Sequence, residues 1–456
     1  MAIIIAGERS GVGKTTVTLA LLAAMKARSQ TVQSFKVGPD YIDPMFHSYI
    51  TGLACRNLDP VLTSENYVRS CFDKHCQNAE YTLIEGVMGL FDGATGHDDT
   101  ASTAHVARLL NLPVILILNC ASTSRSIAAI AHGYRTFDPR IHIVGVVLNR
   151  VGSDRHLELL TQALAPLDLP ILGVLRRQDD ISIPDRHLGL IPTAEMSNLD
   201  GIIERLAYLG ETCFDWEKLL PLMENCQLIT PSFRDKESRG DSKIRIAIAQ
   251  DRAFSFYYAD NLDLFREFGA ELIPWSPISD RALPENIHGL YFGGGFPEVF
   301  ASELAENKTA RESVQTAIKS GIPTYAECGG LMYLCDRIVD FQEQSFPMAN
   351  IFPTAAKMGK RLTLGYRQAI ALQDSPLVNK GDRVWGHEFH RSTLIELSDR
   401  PLYSLQGYES HLQYPSEGWQ FYQVHASYIH LHFGAQTHLL SRFLDSCKEL
   451  LDCKRL

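Results

Sequence analysis

The stretch that most constrains the fold is the N-terminus. Ile3-Ile4-Ile5-Ala6 is a short run rich in β-branched residues, and Gly7-Glu8-Arg9-Ser10-Gly11-Val12-Gly13-Lys14-Thr15-Thr16 follows it directly. Glycines let a backbone fold round phosphate oxygens with successive N–H groups pointing inward. A helix beginning at the lysine adds its dipole, Lys14 adds a mobile cation, and Thr15 offers a hydroxyl to Mg²⁺. The order strand, glycine-rich turn, GKTT, helix predicts a phosphate-binding βα unit, with Gly11, Gly13, Lys14, Thr15 and Thr16 as nucleotide contacts. The spacing departs from GxxxxGK[ST] by one residue, because Glu8 occupies the first glycine's place and Gly7 lies one position earlier.

The rest of the first half continues that rhythm. Ile3–Ala6, Thr31–Phe35, Tyr81–Ile84, Val114–Leu118 and Ile143–Leu148 read as strands buried on both faces, separated by amphipathic segments. Such a pattern predicts a parallel α/β sheet with crossover helices. From 230 to 243 the chain turns polar and nearly free of aliphatic residues, then a second α/β rhythm starts with Ile244–Ala249, Glu271–Pro274, Gly289–Phe292 and Ile322–Ala326. At 456 residues the chain is too long for one ordinary core. Two α/β domains are expected, at 1–229 and 244–456, with a linker at 230–243.

Two acidic loops leave strands of the first half. Phe35-Lys36-Val37-Gly38-Pro39-Asp40-Tyr41-Ile42-Asp43-Pro44 carries Asp40 and Asp43; Ile84-Glu85-Gly86 and Gly89-Leu90-Phe91-Asp92-Gly93 carry Glu85 and Asp92. Ligands of an open parallel sheet bind at the carboxyl ends of its strands. Both loops should therefore converge on the phosphate site. Carboxylates suit Mg²⁺ as hard oxygen donors and also accept from a substrate amide. Asn149-Arg150, after the fifth strand, stands where a nucleotide base could be read, or is a polar loop pair.

In the second half, Ile322-Pro323-Thr324-Tyr325-Ala326-Glu327-Cys328-Gly329-Gly330-Leu331-Met332 reads as strand, tight turn, helix. A nucleophile at such an elbow is held clear of the sheet, the glycines free N–H groups for an oxyanion, and the helix N-terminus favours thiolate. Cys328 alone among the ten cysteines has this setting. Its base is sought in Val424-His425-Ala426-Ser427-Tyr428-Ile429-His430-Leu431-His432-Phe433, where alternation puts His430 and His432 on one side. His430 is favoured, with His432 its rival or its orienting partner; His387, His390 and His425 are read as structural. Gly293-Gly294-Gly295 after a strand invites close backbone approach, with Gly294, Gly295 and Gly329 as contacts for the oxyanion and substrate of an acyl transfer.

Composition removes other classes. A formal charge of −10 disfavours nucleic-acid binding. The strongest apolar stretch, Leu112 to Ala121, is far short of the roughly 20 residues of a membrane span. The N-terminus has no signal-peptide pattern, and the cysteines show no zinc spacing. A cytoplasmic protein with reduced thiols is expected.

Taken together these segments resemble the cobyrinic acid a,c-diamide synthase family. The likeness spans nearly the whole chain: residues 10–16, 36–44, 85–93, Pro184-Asp185-Arg186-His187-Leu188-Gly189-Leu190, 293–298, 326–330, Gly386-His387-Glu388-Phe389-His390 and the His430 segment. The first half resembles a dethiobiotin-synthetase type of P-loop NTPase domain, and the second a class I glutamine amidotransferase. The resemblance implies ATP and Mg²⁺ as cofactors and glutamine and a corrinoid as substrates, with no nucleic acid or membrane partner. Cys328 would release ammonia from glutamine, and ATP would activate the a and c acetate carboxylates of the ring as acyl phosphates. Asp40, Tyr41, Ile42, Asp43 and Asp92 become substrate contacts, and Thr15, Asp43 and Glu85 metal ligands. In class I glutaminases a glutamate stands two residues after the base; here that place holds His432. Arg9 replaces the small residue expected there and either touches a phosphate or faces solvent. Rival readings are the same chemistry on hydrogenobyrinic acid or nickel-sirohydrochlorin, and a P-loop partitioning protein with an inactive glutaminase-like domain.

Overall fold

A computed structural model describes residues 2–77, 79–177, 184–186, 189–223, 244–409 and 411–453. The chain divides into two compact units, Met1–Pro231 and Ser232–Leu456. The polar linker expected at 230–243 lies outside the described residues.

The first unit is built on a parallel sheet. Its strands are β1 (Ile3–Gly7), β2 (Val32–Val37), β3 (Arg56–Leu58), β4 (Tyr81–Glu85), β5 (Val114–Asn119), β6 (Ile143–Val151) and β7 (Ile171–Arg176). They lie in the order β3-β2-β4-β1-β5-β6-β7. Parallel strands covered on both faces are mostly apolar, and Ile3, Ile4, Ile5, Ile115, Leu116 and Ile117 are wholly buried. Each such side chain contributes about 1.5–3 kcal/mol by leaving water. The central position of β1, between β4 and β5, sets the glycine-rich turn beside the ends of both. The segment after β7 forms a small antiparallel pair, β8 (Asp185–Arg186) and β9 (Gly189–Leu190).

The second unit has two sheets. One is β10 (Ile244–Ala249), β11 (Ala270–Trp275), β12 (Gly289–Phe292), β13 (Thr324–Glu327), β20 (Trp419–Phe421) and β21 (Val424–Ser427), in the order β11-β10-β12-β13-β21-β20. It is parallel except for β20. The other holds β14 (Cys335–Val339), β15 (Ser345–Pro347), β16 (Phe352–Ala371), β17 (Arg383–Leu394), β18 (Tyr403–Gly407), β19 (Gln413–Glu417) and β22 (His430–Leu431). Its mostly antiparallel frame pairs His387 of β17 with His430 of β22. The chain thus passes from the parallel sheet at Ser427 to the second sheet at His430, and the candidate base sits at that transfer.

The strands expected from sequence match observed ones within two residues at either end, except that β6 runs three residues past the expected Leu148. Not foreseen were β3, β7, β8, β9, β20 and the frame of the second sheet. Among the described residues no helix is long and apolar enough to cross a membrane.

Candidate active sites

In the first unit the glycine-rich turn joins β1 to the helix Lys14–Ala27. Gly13, at the helix N-cap, has φ 98°, a conformation that a side chain would strain. It is also hemmed in, because a Cβ there would lie 2.4 Å from Nδ2 of Asn149. Asn149 is buried and donates to the carbonyl of Val12 at 2.8 Å, while Arg150 reaches the carbonyl of Gly11 at 3.3 Å. This pair therefore braces the turn. Lys14 is buried and donates to the carbonyls of Arg9 and Met88. Burial, with the nearby Lys36 cation, lowers its ammonium to about 8. Arg9 is 59% exposed and lies 3.6 Å from Glu8, so it faces solvent.

The acidic loops meet at Thr15. Its hydroxyl donates to Glu85 Oε1 at 2.7 Å and lies 3.3 Å from Asp43 Oδ2. Between the two carboxylates stands Lys36, at the end of β2, with Nζ 2.6 Å from Asp43 and 2.8 Å from Glu85. Asp40 is farther, at 3.7 Å, and its other oxygen accepts from the N–H groups of Ile42 and Asp43, fixing the start of the helix Ile42–Thr51. The second oxygen of Glu85 is held by His47 Nε2 at 2.7 Å, and Nδ1 of His47 lies 3.4 Å from Cys55 Sγ.

Charges in this buried cluster are strongly coupled. Burial alone would raise Glu85, but Lys36 and His47 hold it well below the ordinary carboxylate range. Asp43 is pushed up to about 7 by burial and by Asp40. Burial opposes the His47 imidazolium, yet the groups on its two nitrogens, Cys55 and Glu85, raise it to about 10.

Asp92 is anchored by the N–H of Gly89 at 2.8 Å and adds to the negative field on Lys14. Tyr41 and Ile42 are only 5% and 6% exposed, so most of each side chain is packed within the unit. A Cβ on Gly189 of β9 would lie 3.5 Å from Ile42, which brings the 184–190 segment to this loop. His187 and Leu188 of that segment lie outside the described residues. Sequence reasoning passed over Lys36 and His47. The signals were a lysine inside an otherwise buried strand and a histidine one helical turn after Asp43.

In the second unit Cys328 occupies the turn between β13 and the helix Gly329–Leu334, with φ 45° and ψ −96°. A non-glycine residue there stores roughly 1–3 kcal/mol of strain. The turn is held by the Cys328 N–H donating to Ser427 at 2.8 Å and the Gly330 N–H donating to Gly293 at 3.1 Å. The Gly329 N–H is directed at the sulfur. A Cβ on Gly329 would lie 3.1 Å from the Gly295 nitrogen, so the glycine turn after β12 packs closely on the elbow. Burial, then Glu298 and Glu327, push the thiol well above its ordinary value. The helix N-terminus does not overcome them, and the resting sulfur keeps its proton.

His430 meets Gly294 so closely that a Cβ on the glycine would stand 2.5 Å from Cε1. Its Nδ1 lies 3.6 Å from Glu327 Oε2. His432 has different surroundings, with its ring 4.8 Å from that of Tyr258 and Nε2 3.8 Å from Asp260. His425 is satisfied by Ser375 at 2.8 Å and Tyr403 at 3.3 Å, as expected of a structural residue. His390 stacks on Tyr428 at 3.9 Å, and Glu388 pairs with Arg367 beside it.

Comparison with known proteins agrees with this division. Residues 3–191 match the family described as CobQ/CobB/MinD/ParA nucleotide binding domain, and residues 245–438 match the CobB/CobQ-like glutamine amidotransferase domain. A relative from Synechococcus sp., named cobyrinate a,c-diamide synthase, is 63% identical over 98% of this chain and 99% of its own. Another of that name, from Synechocystis sp., is 52% identical over 98% and 93%. A hydrogenobyrinate a,c-diamide synthase from Streptomyces coelicolor is 40% identical over 98% and 97%. With a nucleotide-binding unit, a glutamine amidotransferase unit and relatives matched over nearly their whole length, the chain belongs to the cobyrinate a,c-diamide synthase family.

Proposed function

We propose that the chain is a cytoplasmic, glutamine-hydrolysing ligase that converts the a and c acetate carboxylates of cobyrinic acid to carboxamides. Residues 1–229 form its ATP-dependent synthetase and 244–456 its glutaminase, joined by 230–243. The observation that carries the reading is that one chain holds both a strained, glycine-backed cysteine elbow and a phosphate turn met by the buried Glu85 and the partly buried Asp43.

The glutaminase reaction is nucleophilic. Cys328 attacks the side-chain amide carbon as its proton passes to His430, and the N–H groups of Gly329 and Gly295 receive the developing oxyanion, with Gly294 shaping the wall. The proton then leaves on ammonia as the carbon–nitrogen bond breaks, and water hydrolyses the thioester to glutamate. His432, beside Asp260, is the rival for the role of base. The raised thiol fits this scheme, since deprotonation is then tied to attack.

In the synthetase, Gly11, Gly13, Lys14, Thr15 and Thr16 bind the phosphates. ATP passes its terminal phosphoryl group to the carboxylate, giving an acyl phosphate and ADP; ammonia then attacks the acyl carbon, and inorganic phosphate leaves as the amide forms. The hydroxyl of Thr15 and the carboxylates of Asp43 and Glu85 lie 2.7–3.3 Å apart in two contacts. Such a hard-oxygen set fits Mg²⁺, which neutralises phosphate charge when bound. Lys36, 2.6 Å from Asp43 and 2.8 Å from Glu85, holds those carboxylates together. Asp40, Tyr41, Ile42 and Asp92 shape the substrate side, with Asp92 drawing on Lys14.

Mass spectrometry of cobyrinic acid, hydrogenobyrinic acid and nickel-sirohydrochlorin, each incubated with ATP, Mg²⁺ and glutamine, tests the reading. Two amides on cobyrinic acid, with matching glutamate release, are expected. The Streptomyces coelicolor relative's name makes hydrogenobyrinic acid the second candidate. Glutamine hydrolysis without amidation of any ring would sink the assignment.

A further inference from the structure

Glu327 precedes the nucleophile on β13 and is 1% exposed. One oxygen, Oε1, accepts from the hydroxyl of Tyr325 and from the N–H of Leu431 at 3.0 Å. The other, Oε2, faces Nδ1 of His430 at 3.6 Å. Leu431 follows His430 in the chain, so one carboxylate oxygen fixes the strand that carries the imidazole and the other fixes the ring's direction. A buried carboxylate held only by neutral donors carries a large desolvation penalty, and a cation formed beside it is correspondingly favoured. Deprotonating Cys328 creates that cation on His430.

We propose that Glu327 is the positioning residue of the glutaminase, holding His430 with Nδ1–H toward the carboxylate so that Nε2 is the atom that takes the thiol proton. This rests on the reading of Cys328 and His430 as nucleophile and base. The proton moves from Sγ to Nε2 as the sulfur–carbon bond forms, and from Nε2 to the departing ammonia as the carbon–nitrogen bond breaks. Glu327 accepts no proton; its charge is the same before and after. The separation of 3.6 Å exceeds a hydrogen bond. It closes as the imidazolium forms, in the way that catalytic contacts tighten on reaching the transition state. The acidic role that a glutamate two positions after the base would fill is thereby met from the nucleophile's own strand. His432, paired with Asp260 3.8 Å away, forms a separate contact.

Steady-state glutamine hydrolysis by the full chain tests the assignment. Glu327→Gln keeps an acceptor for Leu431 and Tyr325 but turns an amide N–H toward Nδ1. That favours the wrong tautomer, and kcat is expected to fall on the order of 10³-fold, by analogy with the loss when a triad carboxylate becomes an amide. KM for glutamine should stay within about twofold, because uniform binding is untouched. Glu327→Asp keeps the charge but withdraws it by one bond, and should fall between the two. If kcat in both variants stays within about threefold of wild type, or KM alone rises, the inference is overturned. It is also overturned if Asp260→Asn loses more kcat than Glu327→Gln, which would transfer the role to the His432 pair. A wild-type protein that hydrolyses no glutamine, or a Cys328→Ala protein that does, defeats the underlying reading instead.

Discussion

The hydroxyl of Thr15 donates to Oε1 of Glu85 across 2.7 Å, joining the phosphate turn to the end of β4. Because Oε2 of the same carboxylate is held by His47 at 2.7 Å, Glu85 cannot rotate without breaking two contacts. It is also a counter-charge for Lys36. Glu85→Gln should therefore depress amidation whether ammonia comes from glutamine or from added ammonium. A loss on the order of 10²–10³ in kcat is expected, as when one electrostatic partner of a transition state is removed. Glutamine hydrolysis should continue. Equal loss of both half-reactions in a folded variant would refute the division of labour.

How much of this was legible follows from what each kind of strand demands. Parallel strands buried on both faces leave uninterrupted apolar runs, so Ile3–Ala6, Val114–Leu118 and Ile244–Ala249 stand out in the sequence. β16 does not, because Phe352–Ala371 is half exposed, carries Lys357, Lys360 and Arg361, and shifts register between Met358 and Thr363. Neither apolar run nor clean alternation survives that. The site residues divide similarly. Glycines and a cysteine at βα turns announce themselves because the turn itself needs them. Glu327 looked like an ordinary strand residue, since only the fold brings β13 beside β22. His430 and His432 share a side by alternation, yet the passage from β22 into the following turn carries His432 to Tyr258.

Asn149 gives a prediction on nucleotide binding. Its amide donates to Val12 at 2.8 Å and packs against Gly13, so it holds the turn in shape without being a phosphate ligand. Asn149→Ala removes one buried hydrogen bond, worth about 1 kcal/mol. KM for ATP should rise roughly fivefold with kcat little changed, since that energy corresponds to somewhat less than a factor of ten in affinity. A fall in kcat at unchanged KM would place Asn149 in the chemistry instead.

Glu417 should make stability depend on pH. Burial pushes its carboxyl up to about 7, against the donors Ser427 and the N–H of Tyr428. An acid with a raised native pKa binds more protons folded than unfolded between its two values. Its contribution is thus greatest below the unfolded value near 4.5 and declines as pH rises toward 7. Glu417→Gln keeps an acceptor for the Tyr428 N–H and lets the Ser427 hydroxyl accept from the new amide instead of donating, while abolishing the titration. Thermal melts from pH 5 to pH 8 should show a smaller drop in Tm for the variant than for wild type. Parallel curves would remove Glu417 as the source.

Gly294 offers the most direct test of how closely the base is seated. A Cβ there would stand 2.5 Å from Cε1 of His430 and 3.3 Å from Cβ of Phe256. The backbone at this position does not itself demand glycine, because Gly294 is absent from the residues with positive φ. What excludes a methyl group is the ring. In Gly294→Ala the imidazole must move by a substantial fraction of an ångström from its present seat. Misplacement on that scale costs on the order of 10²-fold in rate. Glutamine hydrolysis should fall by about that factor, with kcat affected more than KM. Amidation driven by added ammonium should persist, because nothing in the first unit is altered. If Gly294→Ala hydrolysed glutamine at the wild-type rate, His430 could not be the group that receives the Cys328 proton, and the base would have to be sought at His432.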